Sequence, residues 1–289
     1  MFRRQRCSKT LVITVAIAVT YILACNLFTL YHLSKSKPNY FVHKYGLLYL
    51  GHLQTFKNWT CKPVLLSKIP LPSTALASYP GSGNSWLRHL LQQTTGIATG
   101  SEYVDFSLKY HGFLGEGITN SSVLVVKTHE YGNTTLIKYD RAILLIRAPE
   151  EALLAEFNRR YAGHLGHAQK LHFKKEWKPF LFEEMDNWYN FNKRWLTFKG
   201  QLYVVKYDKL IQNTSAEIVA LLKFLNISVS SKELLCVVRN VDGHFKRPGT
   251  YHNYSGQKLY QPTIKQTLAA YWREITMLVH KKTARFVIN

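Results

Sequence analysis

The stretch "TALASYPGSGNSWLRHLLQQTTG", residues 74–96, constrains the fold of this 289-residue chain more than any other. "TALAS" reads as a short buried strand, and residues 84–96 read as a helix closed by Gly96. Between them, Gly81 and Gly83 let the backbone curl and approach a ligand closely. A strand, a glycine-rich turn and a helix in that order aim main-chain N–H groups at a bound oxyanion. The hydroxyls of Ser82 and Ser85 and the amide of Asn84 add donors, and Asn84 or Ser85 also reads as the helix cap. A nucleoside triphosphatase loop requires G-x-x-x-x-G-K-[S/T], with a lysine for the terminal phosphates. This loop has neither that lysine nor that spacing.

The rest of the chain alternates in the same way. Strands are expected at 122–128, 142–147 and 201–207, and helices at 150–161, 178–198, 216–226 and about 264–282. Strands rich in β-branched residues and separated by helices predict an α/β fold, a parallel sheet covered on both faces. Ligands in such sheets collect beyond the carboxyl ends of the strands. Each stretch of chemical interest leaves such an end.

One of them is "VVKTHE", residues 125–130. Side chains alternate along a strand, so Lys127 and His129 share a side while Thr128 points away. A histidine there can take a hydroxyl proton as general base, and a lysine beside it neutralises charge on a group in transfer. Glu130 is the alternative base. Arg147 closes "AILLIR", and the basic segment "FKRPG" carries Arg247 and Gly249. The loop "YAGHLGHAQKLHFKKEW" holds His164, His167 and His172 with no cysteine or carboxylate at ligand spacing, so no metal is expected. It reads instead as an acceptor-side lid whose Lys170, Lys174 and Lys175 attract an anionic ligand.

Taken together, these stretches resemble the sulfotransferases that use 3′-phosphoadenosine 5′-phosphosulfate (PAPS). "SYPGSGNSW" is similar to that family's 5′-phosphosulfate loop, T-Y-P-K-S-G-T-T-W, with Gly81 in place of its lysine. "KTH" is similar to its catalytic stretch. The resemblance runs from about residue 74 to 270. It implies a P-loop-like parallel sheet flanked by helices, with Gly81, Ser82, Gly83, Asn84 and Ser85 at the 5′-phosphosulfate. It implies Arg147, Arg247 and Gly249 at the 3′-phosphate, Trp86 and Tyr207 at the adenine, and Lys127 and His129 in catalysis. Ala155 stands where the family has a serine, and Pro248 where it has a lysine. "YPGSGNSWLRHLLQQTTGIATGS" and "AEFNRRYAGHLGHA" look most like the WSC-domain-containing sulfotransferases, the sialate O-sulfotransferases, here without the cysteine-rich WSC modules. That likeness implies a sialylated, anionic glycan acceptor.

The N-terminal residues set a location. Residues 1–10 hold four positive charges, and residues 11–33 hold no charged residue. The reading is a cytosolic tail, a transmembrane signal anchor at 11–33, a stem at 34–72 and a lumenal domain at 73–289, in a single-pass type II arrangement in the Golgi membrane. A cleaved signal peptide fits less well, because the apolar run is long and lacks an A-x-A site. Asn58, Asn120, Asn133, Asn213, Asn226 and Asn253 each head an N-glycosylation sequon. A lumenal domain makes the formal net charge of +21 a match for anionic glycans rather than for nucleic acid. Whether Cys61 and Cys236 are bridged is left open by the sequence. A Golgi glycosyltransferase shares the anchor and sequons, but the chain has no D-x-D triplet. A non-catalytic glycan-binding relative is a third reading, prompted by Gly81, Ala155 and Pro248.

Overall fold

The computed structural model describes residues 61–243, 247 and 259–284. The anchor at 11–33, most of the stem, and Asn58, Pro248, Gly249 and Asn253 lie outside the described residues. Strand β1 (Thr74–Ser78) leads through the glycine-rich turn into helix α1 (Asn84–Thr95). Then follow β2 (Gly100–Ser101), α2 (Phe106–Tyr110), β3 (Gly115–Glu116), β4 (Val126–Thr128), α3 (Asn133–Leu136) and β5 (Arg141–Ile146). Helices α4 (Pro149–Ala162) and α5 (Lys170–Leu196) precede β6 (Gln201–Lys206). The chain continues through α6 (Tyr207–Gln212), α7 (Thr214–Phe224), α8 (Ser231–Arg239) and α9 (Pro262–Ala284).

The six strands form one sheet in the order β3-β2-β4-β1-β5-β6, and every pairing is parallel. The carboxyl ends of β1, β4 and β5 therefore open on one rim, which is where the loops of interest emerge. Alternation sorts the side chains between two layers. Ala75, Ala77, Ala142, Leu144 and Ile146 face a core built with α4, α5 and α9. Leu76, Ile143 and Leu145 face the opposite core, shared with Leu87, Leu90 and Leu91 of α1 and Ile218, Leu221 and Leu222 of α7. Burying each leucine or isoleucine contributes about 1.5–3 kcal/mol, and the two packed layers hold the end of β1 in place under the loop.

Several elements depart from the sequence reading. The regular ladder of β4 begins only at Val126. Helix α5 starts at Lys170, eight residues earlier than expected, and runs through Pro179. The expected lid is thereby corrected: Lys170, Lys174 and Lys175 lie on the first two turns of a helix, and only residues 163–169 form the connection. Helix α8 was not anticipated, although Ser230 and Glu233 form a full capping box at its start. Tyr207 opens helix α6 rather than ending β6.

Cys61 and Cys236 are joined in a disulfide across 175 residues of chain, tying the segment before β1 to helix α8. Lys62 and Glu233 form an ion pair beside it. Among the described residues, no helix is long and apolar enough to cross a membrane. Asn120, Asn133 and Asn226 are exposed and Asn213 is partly so.

Candidate active site

Gly81 and Gly83 both take positive φ, 79° and 97°. Each is also hemmed in. A Cβ on Gly81 would lie 2.4 Å from the Ala152 carbonyl oxygen and 2.7 Å from the Glu156 nitrogen, both backbone atoms of α4. A Cβ on Gly83 would lie 2.6 Å from the Tyr207 ring. A lysine side chain thus has no room at position 81.

Gly83 is the N-cap of α1 and no side chain caps that helix. Its first N–H groups, from Asn84 onward, have no carbonyl inside the helix to receive them. The Ser82 hydroxyl is buried and has no partner. The Asn84 amide corrects an expectation: it donates to the Leu76 carbonyl (3.0 Å) and to Ser78 Oγ (3.1 Å). It locks the turn to β1 and leaves anion binding to the backbone. Neither Asn84 nor Ser85 acts as the cap.

Cations surround this turn. Arg147 donates from Nη1 to the Gly81 carbonyl (3.1 Å), pairs with Glu151 (3.0 Å) and lies 4.2 Å above the Tyr207 ring. Tyr207 in turn meets Trp86 edge-on at 5.7 Å, and Trp86 donates to the Val241 carbonyl (2.7 Å). Arg247 donates to the Ala155 carbonyl at 3.0 Å. The Arg247 Nε is buried with no partner. Burial, and then the nearby Arg147, hold the Arg247 pKa below its usual value. Arg159 is held by Glu156 through two 2.6 Å contacts, and Arg160 reaches Glu184 at 2.6 Å. Glu184 also accepts from Tyr79 of the loop (2.6 Å), which ties the turn to α5.

His129 and Lys127 come together at the end of β4. Nδ1 of His129 lies 2.7 Å from the Ser78 carbonyl. A carbonyl only accepts, so Nδ1 carries the proton and Nε2 keeps its lone pair. The imidazole is thereby fixed to the last residue of β1, just before the glycine-rich turn. Burial, then the neighbouring Lys127, pull the His129 pKa down to about 3. Lys127 is only 7% exposed. Among the described residues no carboxylate lies within ion-pair distance of it. Burial and then Arg88 bring its pKa down to about 8, against the opposing Glu116 and Asp105. Glu130, the alternative base, accepts a hydrogen bond from Tyr103 at 3.0 Å. Trp195 of α5 holds the Glu130 carbonyl at 2.9 Å.

Tyr103 escaped the sequence reading. It follows a two-residue strand that has no periodicity to reveal it. The segment carrying it is anchored by a fully buried pair, Arg88 of α1 and Glu116 of β3, at 2.5 Å. Arg88 also donates to Thr99 Oγ1 (2.9 Å) and to the Thr99 carbonyl (3.0 Å). The loop histidines are dispersed: His164 pairs with Asp105 at 2.7 Å, and His172 stacks on Tyr161. No group of three or more metal-ligating side chains occurs among the described residues.

The described residues fit a phosphosulfate donor. Unpaired N–H groups, an orphaned Ser82 hydroxyl and the Arg147–Arg247 pair converge on one turn, against which Trp86 and Tyr207 pack.

No protein-family profile matches the chain. Over 179 residues it is 46% identical to a WSCD family member of Drosophila pseudoobscura pseudoobscura, covering 60% of this chain and 57% of that protein. WSCD family members of Drosophila melanogaster and Aedes aegypti are each 45% identical over 179 residues, with 56% of their length covered. The chain therefore spans little more than half the length of these relatives. Among solved structures it is similar to a mouse sulfotransferase, SULT7A1, complexed with PAP, at TM-score 0.49 and 12% identity over 76% of this chain and 88% of that one. It is also similar to retinol dehydratase in complex with androsterone and inactive cofactor PAP, at TM-score 0.45 and 13% identity over 73% of this chain and 82% of that one.

Proposed function

We propose that the chain is a PAPS-dependent sulfotransferase that modifies a hydroxyl of a glycan, with a sialylated glycan as the acceptor. The observation that carries the reading is the His129–Ser78 contact, which binds a neutral imidazole to the end of β1, from which the turn and its uncapped helix start emerge. PAPS, when bound, supplies the sulfuryl group. The turn from Ser82 to Ser85 receives the 5′-phosphosulfate through the Ser82 hydroxyl and the backbone N–H groups that follow it, the Ser82 N–H itself being held by the Tyr79 carbonyl. Arg147 and Arg247 hold the 3′-phosphate. Trp86 and Tyr207 flank the adenine. His129 Nε2 takes the proton of the acceptor hydroxyl, and Lys127 stabilises charge that develops on the oxygens in transfer. Alignment and charge stabilisation then supply most of the rate. The 45–46% identity to WSCD family members agrees with the resemblance of the motifs.

We place the domain in the Golgi lumen as part of the same proposal. The Cys61–Cys236 bridge and three exposed sequon asparagines suit an oxidising, glycosylating compartment. The deciding experiment incubates the full chain with radiolabelled PAPS and sialylated, desialylated and glycosaminoglycan acceptors. Label on the sialylated glycan alone is the expected result. Label on none of them, with PAPS unbound, rejects the reading; PAPS bound without transfer favours a non-catalytic relative.

Two further results are expected. Arg247→Ala weakens PAP binding by roughly tenfold to a hundredfold, since a charged hydrogen bond contributes about 1.5–3 kcal/mol. It leaves a nucleotide lacking the 3′-phosphate unaffected in calorimetry. The rate should also fall as pH rises through about 8 in kcat/KM for PAPS, because Lys127 loses its proton there. Lys127→Arg, which stays charged, should remove that limb if its guanidinium fits; a limb that persists in an active variant assigns it to another group.

A further inference from the structure

We propose that Tyr103 is the positioning residue of this site: it orients His129 and Lys127 together and screens the lysine from the acidic cleft on its far side. The inference rests on the sulfotransferase reading. Four contacts converge on this one side chain. Its hydroxyl accepts the His129 backbone N–H at 2.9 Å and donates to Glu130 at 3.0 Å. Its ring stacks on the His129 imidazole at 5.5 Å with a 26° interplanar angle. Lys127 Nζ lies 5.5 Å from the same ring's centroid.

The choice of a phenol follows from what Lys127 must do. A buried ammonium needs an electron-rich neighbour to stay charged. A carboxylate would supply that, but the ion pair would cancel the charge meant for the transferring group. An aromatic face stabilises the ammonium through its quadrupole and leaves its net charge intact. Carboxylates are close at hand. Tyr103 lines a cleft of about 460 Å³ together with Glu102, Glu130, Lys138 and Tyr139. Glu102 is occupied there by Thr128, Tyr139 and Lys138, and Glu130 by Tyr103 itself. The hydroxyl thus keeps the alternative base turned away from the one the ring supports. Direction is fixed as well: because the hydroxyl donates to a carboxylate, its lone pairs face the His129 N–H.

The test compares Tyr103→Phe and Tyr103→Leu with the wild type in the full chain. Tyr103→Leu should lower kcat about 10–30-fold, within the range a desolvated cation–π contact and an aligned base can supply, with the dissociation constant for PAPS unchanged. Tyr103→Phe keeps the ring and should recover most of the loss. The pH limb assigned to Lys127 should move to lower pH in Tyr103→Leu alone. Imidazole resonances of His129, followed by NMR, give a readout free of turnover and should shift in Tyr103→Leu. A kcat within twofold of wild type with unmoved pH limb and resonances overturns the proposal. So does a Tyr103→Leu protein that loses PAPS binding and thermal stability together, which marks a purely structural role. Absence of PAPS binding by the wild type rejects the sulfotransferase reading instead, while the NMR comparison still judges Tyr103.

Discussion

His129→Ala should lower kcat by about 10²–10⁴-fold, the range for loss of a positioned general base, while the affinity for PAPS stays within a few-fold. The separation is expected because His129 reaches the turn only through the Ser78 carbonyl, on the strand side of the loop. The donor-facing N–H groups belong to the other end of the turn, at the start of α1. The pH dependence sharpens the test. In the free protein, burial and Lys127 depress the imidazole to about 3, so it is an unprotonated but weak base throughout the neutral range. A bound polyanion offsets the cations around it and raises that pKa. The acid limb of kcat, which reports the complex, should therefore lie at higher pH than that of kcat/KM for PAPS. Single-turnover assays with labelled donor, run across pH, measure both. Full turnover by the alanine variant would remove His129 from the mechanism and turn attention to Glu130.

Gly81→Lys has the larger cost to the protein itself. From sequence alone, a lysine here, as in the sulfotransferase loop that the sequence resembles, should strengthen donor activation. The structure argues for the reverse. The new Cβ would enter the backbone of α4, 2.4 Å from one atom and 2.7 Å from another, at a φ of 79°. Backbone cannot swing aside as a side chain does, and positive φ adds its own penalty of about 1–2 kcal/mol. A loss of roughly 3 kcal/mol or more in stability is expected, in line with other overpacked and strained positions. PAPS binding should be lost with it, since the turn cannot keep its shape. Denaturant unfolding and calorimetry check the two effects. A stable, more active lysine variant would show that α4 yields, contrary to its packing here. The cation that the lysine would have supplied is already near: Arg147 donates to the carbonyl of Gly81 itself.

How legible this was depends on sequence distance. Strand β1 and helix α1 are legible almost to the residue, because a short apolar run bounded by Thr74 and Ser78 and a closing glycine, left-handed at φ 69°, are local signals. The placing of Lys127 and His129 on one side is likewise a local reading of strand alternation, and both side chains meet the Tyr103 ring. The start of α5 is hidden by a polar Lys/His segment and by Pro179, whose place suits the first turn of a helix and so suggests a later start. Helix α8 was legible in principle through its S-x-x-E capping box. Nothing local announces that Arg247 meets Ala155, 92 positions earlier in the chain. Nor does anything announce that Tyr103 meets His129, or that α4 fills the space beside Gly81; those facts exist only after the sheet has assembled.

The Cys61–Cys236 bridge encloses β1 through the start of α8, and with them the turn, Lys127, His129 and most of the rim. A protease that nicks one exposed connection inside that span leaves two pieces still covalently joined. Such a clipped molecule would migrate as one band without reductant and as two with it, and could keep its site assembled after the cut.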